Sequence, residues 1–308
     1  MANCLVTKLK SNVINDNLVG LGVIRLKAIE LPGTPDDWQQ LSIVFGVVGE
    51  CTIHAYGGTF FRRSAGSSTA TDTLTLTNEE AEIQFNNGTY NVDITNKYGL
   101  TRIGPAVNFY KHLLSFNLTD LKYSVNMTDI RCQQALLSGD ISDISLMSNL
   151  AHFNAQGNNT LSGNLSSISS LANIVFFDVT SSNVTGDIAN IASNTLITIL
   201  NIANTSIYGD VASIAGCTAL TQLFAERSNI SGNISALGNM TGLTLCNLSN
   251  TQCSGTLESM LDGMLSAGRN SGTITFAGNN IITYQGTAFG NTKNCTFANG
   301  SYTVTDQV

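Results

Sequence analysis

Apolar and polar positions repeat every 23 residues, with one spacing of 24, from residue 127 to about residue 281. Each period carries one glycine in a short frame such as Ser-Gly-Asp-Ile at 138–141 or Ser-Gly-Asn-Ile at 231–234. A fixed period in the twenties is typical of a solenoid, in which each unit stacks on its neighbours. The six marker glycines are Gly139, Gly163, Gly186, Gly209, Gly232 and Gly255.

The apolar residues inside one unit predict a short strand. In the unit of Gly186, Phe177 and Val179 lie nine and seven residues before the glycine. A spacing of two directs both side chains to the same face of a strand. A single unit cannot bury this face, whereas stacked units bury a continuous core. The pattern therefore predicts one short strand per unit, paired in a parallel sheet.

The repeat L-x-x-L-x-L-x-x-N-x-L-x-G-x-I resembles the leucine-rich repeat family, and its Gly-Asp-Ile and Ser-Gly-Asn-Ile frames resemble the plant-type variety. The resemblance implies a solenoid of about six to seven 23-residue units with a C-terminal cap. It also implies an asparagine at the ninth position of each unit, which only Asn158 or Asn159 and Asn279 supply. We expect the hydroxyls found elsewhere to make a similar but shorter-reaching ladder of hydrogen bonds to loop backbone. These residues are Ser182, Thr205, Ser228 and Thr251.

The periodicity and the turn signals divide the chain into five predicted parts. They are an N-terminal arm (1–20), a β-rich docking domain (21–103), a connector and solenoid N-cap (104–126), the solenoid (127–281) and a C-terminal cap (282–308). The predicted fold class is mainly β, with a β-sandwich-like N-terminal domain followed by the leucine-rich repeat solenoid.

Short apolar runs between turn signals predict the strands of the docking domain. These strands are Val23–Ile29, Leu41–Val48, Cys51–Tyr56, Asp72–Thr77, Glu82–Phe85 and Tyr90–Ile94. We predict helices over Val107–Leu114, where the helix would cover the open end of the solenoid core, and over Leu257–Ala267. One further strand is predicted to include Ile274, Phe276 and Ile281.

The composition argues against some classes of partner. Only 11% of the residues are charged, against about 25% in ordinary globular chains. The net charge is −7, and from residue 138 onward the basic residues are Arg227, Arg269 and Lys293 alone, so a nucleic acid partner is not expected. No apolar run is long enough for a membrane span. The first ten residues lack the apolar segment of a signal peptide, so we expect no secretion by the usual route.

The sequence contains no constellation typical of catalysis, and we predict a protein that is not an enzyme and needs no cofactor or metal. His54, His112 and His152 are scattered, and metalloprotease, nucleophile-elbow and phosphate-loop motifs do not occur. The seven cysteines are expected to be small buried residues. Glycan hydrolysis would need a carboxylate pair, for which Asp178 and Glu226, about 9.6 Å apart by strand spacing, are the candidates on the sheet.

A column of acidic and amide side chains follows the marker glycines by one residue. Calcium binding is one interpretation of this column. We favour turn capping, because aspartate and asparagine replace each other freely there and both bond their own backbone. The column consists of Asp140, Asn164, Asp187, Asp210 and Asn233.

The outward positions of the predicted sheet are the candidate ligand-binding site. They combine amides and carboxylates with exposed aromatic rings, which suits recognition of a protein or a carbohydrate. Solenoids commonly bind through such an extended concave face. The candidate residues are Arg131, His152, Asn154, Phe176, Asp178, Asn201, Gln222, Phe224, Glu226 and Asn247.

Residues 1–103, with Met-Ala-Asn-Cys-Leu-Val-Thr-Lys-Leu-Lys and Asn-Gly-Thr-Tyr-Asn-Val-Asp-Ile, resemble structural proteins of the crAss-like phages that infect Bacteroides. The resemblance implies a bacteriophage virion component on the particle surface, either a tail or head decoration or a receptor-binding module. Its expected partners are other virion proteins through the N-terminal domain and a host-surface glycan or protein through the solenoid, and the chain is compatible with a homo-oligomer. The alternative is a bacterial cell-surface leucine-rich repeat adhesin.

Overall fold

The computed structural model describes residues 24–30, 41–47, 49–55, 58–62, 68–69, 73–78, 80–85, 90–95, 97–105 and 112–307. The predicted N-terminal arm lies outside these residues. In chain order the N-terminal strands are β1 (Ile24–Glu30), β2 (Leu41–Val47), β3 (Glu50–Ala55), β4 (Gly58–Arg62), β5 (Ser68–Thr69), β6 (Thr73–Thr77), β7 (Glu80–Phe85), β8 (Tyr90–Ile94), β9 (Leu100–Pro105) and β10 (His112–Asn117). All six strands predicted here are confirmed to within two residues at each end, and β4, β5, β9 and β10 are additional.

The repeat region contributes two strands per unit. They are β11 (Asp129–Arg131), β12 (Leu136–Asp140), β13 (His152–Asn154), β14 (Leu161–Asn164), β15 (Phe176–Asp178), β16 (Asn183–Asp187), β17 (Ile199–Asn201), β18 (Ser206–Asp210), β19 (Gln222–Phe224), β20 (Asn229–Asn233), β21 (Leu245–Asn247) and β22 (Gln252–Ser254). The C-terminal strands are β23 (Ser271–Phe276), β24 (Asn279–Tyr284), β25 (Thr287–Phe289), β26 (Lys293–Ala298) and β27 (Ser301–Asp306).

Two long sheets run through the described part of the chain. Sheet 1 has the strand order β27-β26-β23-β21-β19-β17-β15-β13-β11-β9-β2-β7-β4-β5. Sheet 2 has the order β22-β20-β18-β16-β14-β12-β10-β1-β8-β3-β6. The repeat strands pair in parallel, as in Phe177 opposite Leu200 in sheet 1. The mainly β class and the parallel sheets are confirmed, whereas the β-sandwich-like domain and the five domain boundaries stay predictions.

Sheet 2 corrects the prediction of one strand per unit. In the segment before the marker glycine, exposed and buried side chains alternate, with Asn183 exposed and Val184 buried. This segment is a strand that pairs with the next unit, where Gly186 lies opposite Ile207. The backbone of Gly186 has φ +119°, and a Cβ there would lie 2.6 Å from Oδ1 of Asn164 in the preceding unit. The marker glycine therefore allows two neighbouring units to stack closely.

The first five units then enter a short 3-10 helix, which the Asp/Asn column begins, whereas the unit of Gly255 enters an α-helix. Oδ1 of Asp187 accepts the N–H of Ala189 at 2.9 Å, and the other four members of the column make the same bond. This confirms the predicted turn-capping role. The 3-10 helices are Lys97–Gly99, Ile141–Ile144, Leu165–Ile168, Ile188–Ile191, Val211–Ile214 and Ile234–Asn239.

The ninth position of the unit behaves as the residue types predicted. Asn158 is the ladder residue of its unit: its Nδ2 donates to Ala155 O at 2.8 Å and to Cys132 O in the preceding unit at 2.7 Å. Its Oδ1 accepts the N–H of Leu137, also in the preceding unit, at 2.9 Å. The shorter side chain of Ser182 reaches Val179 O within its own unit, at 2.6 Å. Serine and threonine therefore bond their own loop, whereas Asn158 also links two units.

The predicted helix over Val107–Leu114 is wrong at its C-terminal end, and residues 107–111 lie outside the described part. Strand β10 begins at His112 and pairs on both edges, with Ser115 opposite Lys27 and Phe116 opposite Leu137. Sheet pairing on two sides satisfies the backbone, so it overrides local helix propensity. A single helical turn, α1 (Leu118–Leu121), follows and buries its two leucines over the first unit.

The C-terminal region combines a confirmed helix with a corrected strand. Helix α2 (Leu257–Ser266) buries Leu257, Met260, Leu261 and Met264, as its spacing predicted. The further strand is in fact two strands, because Ile274 and Phe276 belong to β23 and Ile281 to β24. Asn279, the first residue of β24, donates through Nδ2 to Leu248 O at 2.6 Å and accepts the N–H of Ile281 at 2.7 Å.

One buried apolar cluster takes residues from both sheets, from the 3-10 helices and from α2. The cysteines of the described residues are all free and buried, as predicted. Burial raises the pKa of Cys51 to about 12, which keeps this thiol protonated. Within the described residues, no helix is both long and apolar enough to cross a membrane.

Candidate functional site

The outer face of sheet 1 carries two adjacent columns of side chains, one on each side of the buried central residue of every strand. We call them column A and column B. The register places each member beside the member from the next unit, as in Phe176 beside Ile199 and Asp178 beside Asn201. Column A consists of Asp129, His152, Phe176, Ile199, Gln222 and Leu245. Column B consists of Arg131, Asn154, Asp178, Asn201, Phe224 and Asn247.

The predicted site residues therefore share one surface, with Glu226 two residues beyond the end of β19. The sequence-based selection missed Asp129, Ile199 and Leu245, which belong to column A. Their signal was available, because Ile199 and Leu245 lie ten residues before Gly209 and Gly255, as Phe176 lies ten before Gly186. Ile199 and Leu245 are half-buried; Ile199 lies beside Phe176, and Gln222 separates Leu245 from them.

Four members of column B have a local backbone role. Oδ1 of Asp178 accepts the N–H of Thr180 at 2.9 Å, and Oδ1 of Asn247 accepts the N–H of Ser249 at 3.1 Å. Asn154 and Asn201 bond the N–H two residues on in the same way. These side chains end the strand and begin the following loop. Part of the Asn/Asp pattern that suggested ligand binding is therefore explained by local structure.

Phe224 departs from this pattern. It stands in column B between Asn201 and Asn247, so its side chain cannot supply the oxygen that both neighbours use to bond the following loop. The ring is half-exposed on the outer face of sheet 1. A half-exposed aromatic ring that replaces a structural side chain is the strongest single indication of a contact residue on this face.

Asp178 is held rather than free. Its side chain is 5% exposed, and Nδ2 of Asn201 donates to it at 3.1 Å in addition to the Thr180 N–H. Burial raises the pKa of this carboxyl above its ordinary range, the hydrogen bonds from Thr180 and Asn201 oppose the shift, and the charge of Glu226 adds to it. The two carboxylates thus interact electrostatically across one intervening unit.

Glu226 lacks the partners that the other acids have. Its Oε2 atom is buried without a hydrogen-bond partner. No ion pair to Glu226 is found among the described residues, although all the other acidic side chains of residues 112–307 accept a hydrogen bond or form an ion pair. A buried carboxylate oxygen without a donor costs free energy, a condition that Oε2 of Glu226 shares with Oε2 of Glu258.

The N-terminal end of the face is more fully paired. The Arg131 guanidinium donates through Nε to Oδ1 of Asp129 at 2.9 Å, and Arg102 lies 3.8 Å from the same carboxylate. His152 and Phe176 stack with ring centroids 5.9 Å apart and planes inclined by 19°. The face therefore runs from a cluster of two arginines around one aspartate, across stacked rings, to an acidic and aromatic end at Phe224 and Glu226.

The arrangement offers contacts and little chemistry. Asp178 commits both oxygens to its own loop and to Asn201, which removes it from the role of a freely accessible base. Within the described residues, no group of three His, Cys, Asp or Glu side chains is placed to hold a metal ion.

No protein-family model and no curated protein matches the sequence. Solved structures similar to this chain include the plant peptide hormone receptor RGFR1 in complex with RGF2, with 23% identity and a TM-score of 0.50 over 61% of this chain and 29% of the receptor. Internalin C2 from Listeria monocytogenes matches 55% of this chain and 66% of its own, with 20% identity and a TM-score of 0.41. The leucine-rich repeat ectodomain of the Arabidopsis receptor kinase HAESA, in complex with an IDA peptide, matches 55% and 29%, with 19% identity and a TM-score of 0.45.

The similarity to the RGFR1 structure, together with the parallel pairing of the repeat strands, confirms the leucine-rich repeat fold. The chain spans less than a third of the RGFR1 chain. At this level of identity the similarity concerns the fold alone, so the ligand must be inferred from the side chains of the site.

Proposed function

We propose that this chain is a non-enzymatic binding protein whose outer face of sheet 1 docks a protein partner. The observation that carries the proposal is the pair Phe224 and Glu226 in one unit. Phe224 lacks the loop hydrogen bond that Asn201 and Asn247 make in the neighbouring units. Glu226 has a buried Oε2 atom without a hydrogen-bond partner. The half-buried Phe176, Ile199 and Leu245 in column A supply an apolar surface beside them. Buried aromatic contacts framed by polar groups are typical of the energetic centre of a protein interface.

The charge of the face indicates the chemistry of the partner. Asp178 and Glu226 have no cationic partner among the described residues. A lysine or arginine of the partner would pair with Glu226 and lie within reach of the Phe224 ring, where a cation is attracted to the aromatic face. The proposed partner segment thus carries a basic side chain next to apolar ones.

We place this binding protein on a bacteriophage particle, as a tail or head decoration or a receptor-binding module that binds a host-surface protein. The support is the sparsely charged, hydroxyl- and amide-rich composition and the resemblance of residues 1–103 to phage structural proteins. Other virion proteins would then dock on the N-terminal region. A bacterial cell-surface adhesin is the alternative that the same binding face would serve.

Binding to intact host cells tests the face. Fluorescently labelled wild-type protein is expected to bind cells of the source culture, and Phe224→Ala and Glu226→Lys are each expected to weaken binding at least tenfold, the range of an interface hot spot. The matched control is Tyr208→Ala, which removes an aromatic ring that is 48% exposed on sheet 2 and should leave binding unchanged. Equal loss in all three variants, or no loss in the first two, would reject the face.

Two further measurements separate the alternatives. Trypsin treatment of the cells should abolish binding, and loss on periodate treatment alone would instead indicate a glycan. An antibody against the chain should label purified particles at fixed sites in the electron microscope. Labelling of host envelopes without particles would favour the adhesin.

A further inference from the structure

Strand β27 forms one edge of sheet 1, and no described strand pairs with its outer side. On its inner side it pairs antiparallel with β26, with Ala298 opposite Ser301 and Thr296 opposite Thr303. The two strands are joined by Asn299 and Gly300, with φ of 51° and 73°. Positive φ at both positions is the type I′ geometry of a two-residue hairpin, and it sets the hydrogen-bond phase of the ladder.

This phase identifies the backbone groups that face outward. In a two-residue hairpin, the pair next to the turn exchanges hydrogen bonds, and every second pair repeats the pattern. Ser301 belongs to the pair next to the turn, so the odd-numbered residues of β27 form their backbone hydrogen bonds with β26. The N–H of Gln307, which donates to Thr292 O at 2.9 Å, follows the same alternation. The N–H and C=O groups of Tyr302 and Val304 therefore point away from the sheet, toward its open edge.

From Ser301 to Thr305 the side chains of β27 do not protect this edge. Natural edge strands commonly carry a lysine, a proline or an inward-pointing charge that prevents pairing with another chain. The segment 301–305, Ser-Tyr-Thr-Val-Thr, has none of these. Tyr302 and Val304 pack against the core cluster but remain partly exposed, and Thr303 is exposed on the opposite face. The charged pair of Lys293 and Asp306 lies at the far end of the hairpin.

We propose that two copies of this chain join edge to edge, with β27 antiparallel to β27 of a second copy about a two-fold axis at Thr303. Tyr302 then lies opposite Val304 of the partner subunit, and the two residues exchange backbone hydrogen bonds. Thr303 faces Thr303 of the partner subunit as a pair without hydrogen bonds. Sheet 1 continues without interruption from one subunit into the other.

The self-complementary pattern of β27 is the reason for choosing a second copy as the occupant. The segment has the order hydroxyl, apolar, hydroxyl, apolar, hydroxyl, which is the same in both directions. Antiparallel pairing about Thr303 therefore places an aromatic ring beside a β-branched residue on the core face and hydroxyls beside hydroxyls on the other, both favourable cross-strand pairs. A shift by one residue would place apolar side chains on the opposite face from their counterparts, which disfavours both registers displaced by one residue.

The two-fold axis gives the proposal a sharp test, because Thr303 meets its own copy. Sedimentation velocity of the full chain should give a dimer of 65.2 kDa, twice the 32.6 kDa of one chain. Thr303→Glu and Thr303→Lys should each be monomeric, since like charges would face each other with Cα atoms about 4.5 Å apart. An equimolar mixture of the two variants should restore the dimer, because opposite charges then meet at the axis.

Thr296→Glu is the matched control. Thr296 is exposed on the same sheet face, one strand inward, so this variant should remain dimeric. As a second measurement, Thr303→Cys should form an interchain disulfide on mild oxidation, because the two introduced thiols meet at the two-fold axis. The native cysteines of the described residues are buried, so they should not compete. A monomeric wild-type chain at high micromolar concentration, an oligomer that persists in Thr303→Glu, or a mixture that stays monomeric would each overturn the proposal.

Discussion

Gly238 and Gly263 meet backbone to backbone where the last 3-10 helix of the repeats crosses α2. A Cβ built on either glycine would lie 2.9 Å from the Cα of the other. Gly238 is itself buried. The close approach lets α2 lie directly on the final unit, and the absence of two side chains is therefore what allows the helix to cover the C-terminal end of the core.

Gly263→Ala should accordingly destabilise the protein. In an ordinary helix interior this substitution is favourable by about 1 kcal/mol. Here the added methyl group must separate two packed segments, and we expect a net loss of about 1–3 kcal/mol, the usual cost of overpacking. Urea unfolding measures the change. Gly216→Ala is the control, because nothing lies within 4 Å of its Cβ position, and a similar loss there would contradict this explanation.

Gly186→Ala tests the marker glycines. The substitution would put an alanine at φ +119° and its methyl group 2.6 Å from Oδ1 of Asn164 and 2.8 Å from the backbone N of Leu165. Backbone strain and overpacking together predict a loss of about 2–4 kcal/mol of unfolding free energy. The double variant Gly186→Ala with Asn164→Gly should recover only part of this loss, because the φ strain and the backbone contact remain. Full recovery would mean that the side-chain contact alone requires glycine.

Asn158→Ser tests the link between units. The serine hydroxyl would still reach Ala155 O, but the buried N–H of Leu137 would lose its acceptor and Cys132 O its 2.7 Å donor. We expect a loss of about 2–4 kcal/mol: the Leu137 N–H left without its acceptor costs roughly 1–3 kcal/mol, and the lost bond to Cys132 O, which keeps the N–H of Ala135 at 3.3 Å, about 1 kcal/mol. Ser182→Ala removes the bond to Val179 O and a longer one from the Val184 N–H, both within one unit, and should cost about 1–2 kcal/mol. Equal losses in thermal or urea unfolding would show that the link to the preceding unit adds nothing.

The features that repeat along the chain could be predicted from the sequence. The 23-residue period identified the solenoid, the exchange of Asp187 with Asn164 indicated turn capping, and the spacing of Leu257, Met260 and Leu261 indicated α2. Each of these depends on contacts within one unit or between identical neighbouring units, so local spacing carries the information.

Pairings between distant segments could not be predicted in the same way. Strand β10 lies between β1, which contains Lys27, and β12, which contains Leu137. Nothing in the segment 112–117 itself specifies either neighbouring strand. Sheet 2 was missed because its strands have a single buried apolar residue, such as Val184, ahead of the glycine. In the site, the position of Glu226 followed from the period, whereas the burial of its Oε2 depends on packing that spacing does not describe.

The pH dependence of unfolding should reveal the environment of Asp178. Its pKa in the folded protein is raised by burial, whereas in the unfolded chain it returns to about 3.9. The folded state therefore favours the protonated carboxyl, so the stability contributed by this group is fully present below about pH 3.9 and is lost as the pH rises through the folded pKa. Asp178→Asn carries no such titration.

The free energy of unfolding of the wild type minus that of Asp178→Asn should therefore fall as the pH rises from about 3.9 through the folded pKa, even while other carboxylates stabilise the fold over the same interval. Removing the neighbouring charge with Glu226→Gln should lower the pKa of Asp178 and move this fall to lower pH, because the charge of Glu226 contributes to the raised value. Urea unfolding of the three proteins at several pH values measures both effects. A difference that stays constant with pH would show that Asp178 is as well solvated in the folded protein as in the unfolded chain, and its place in a buried acidic site would then be wrong.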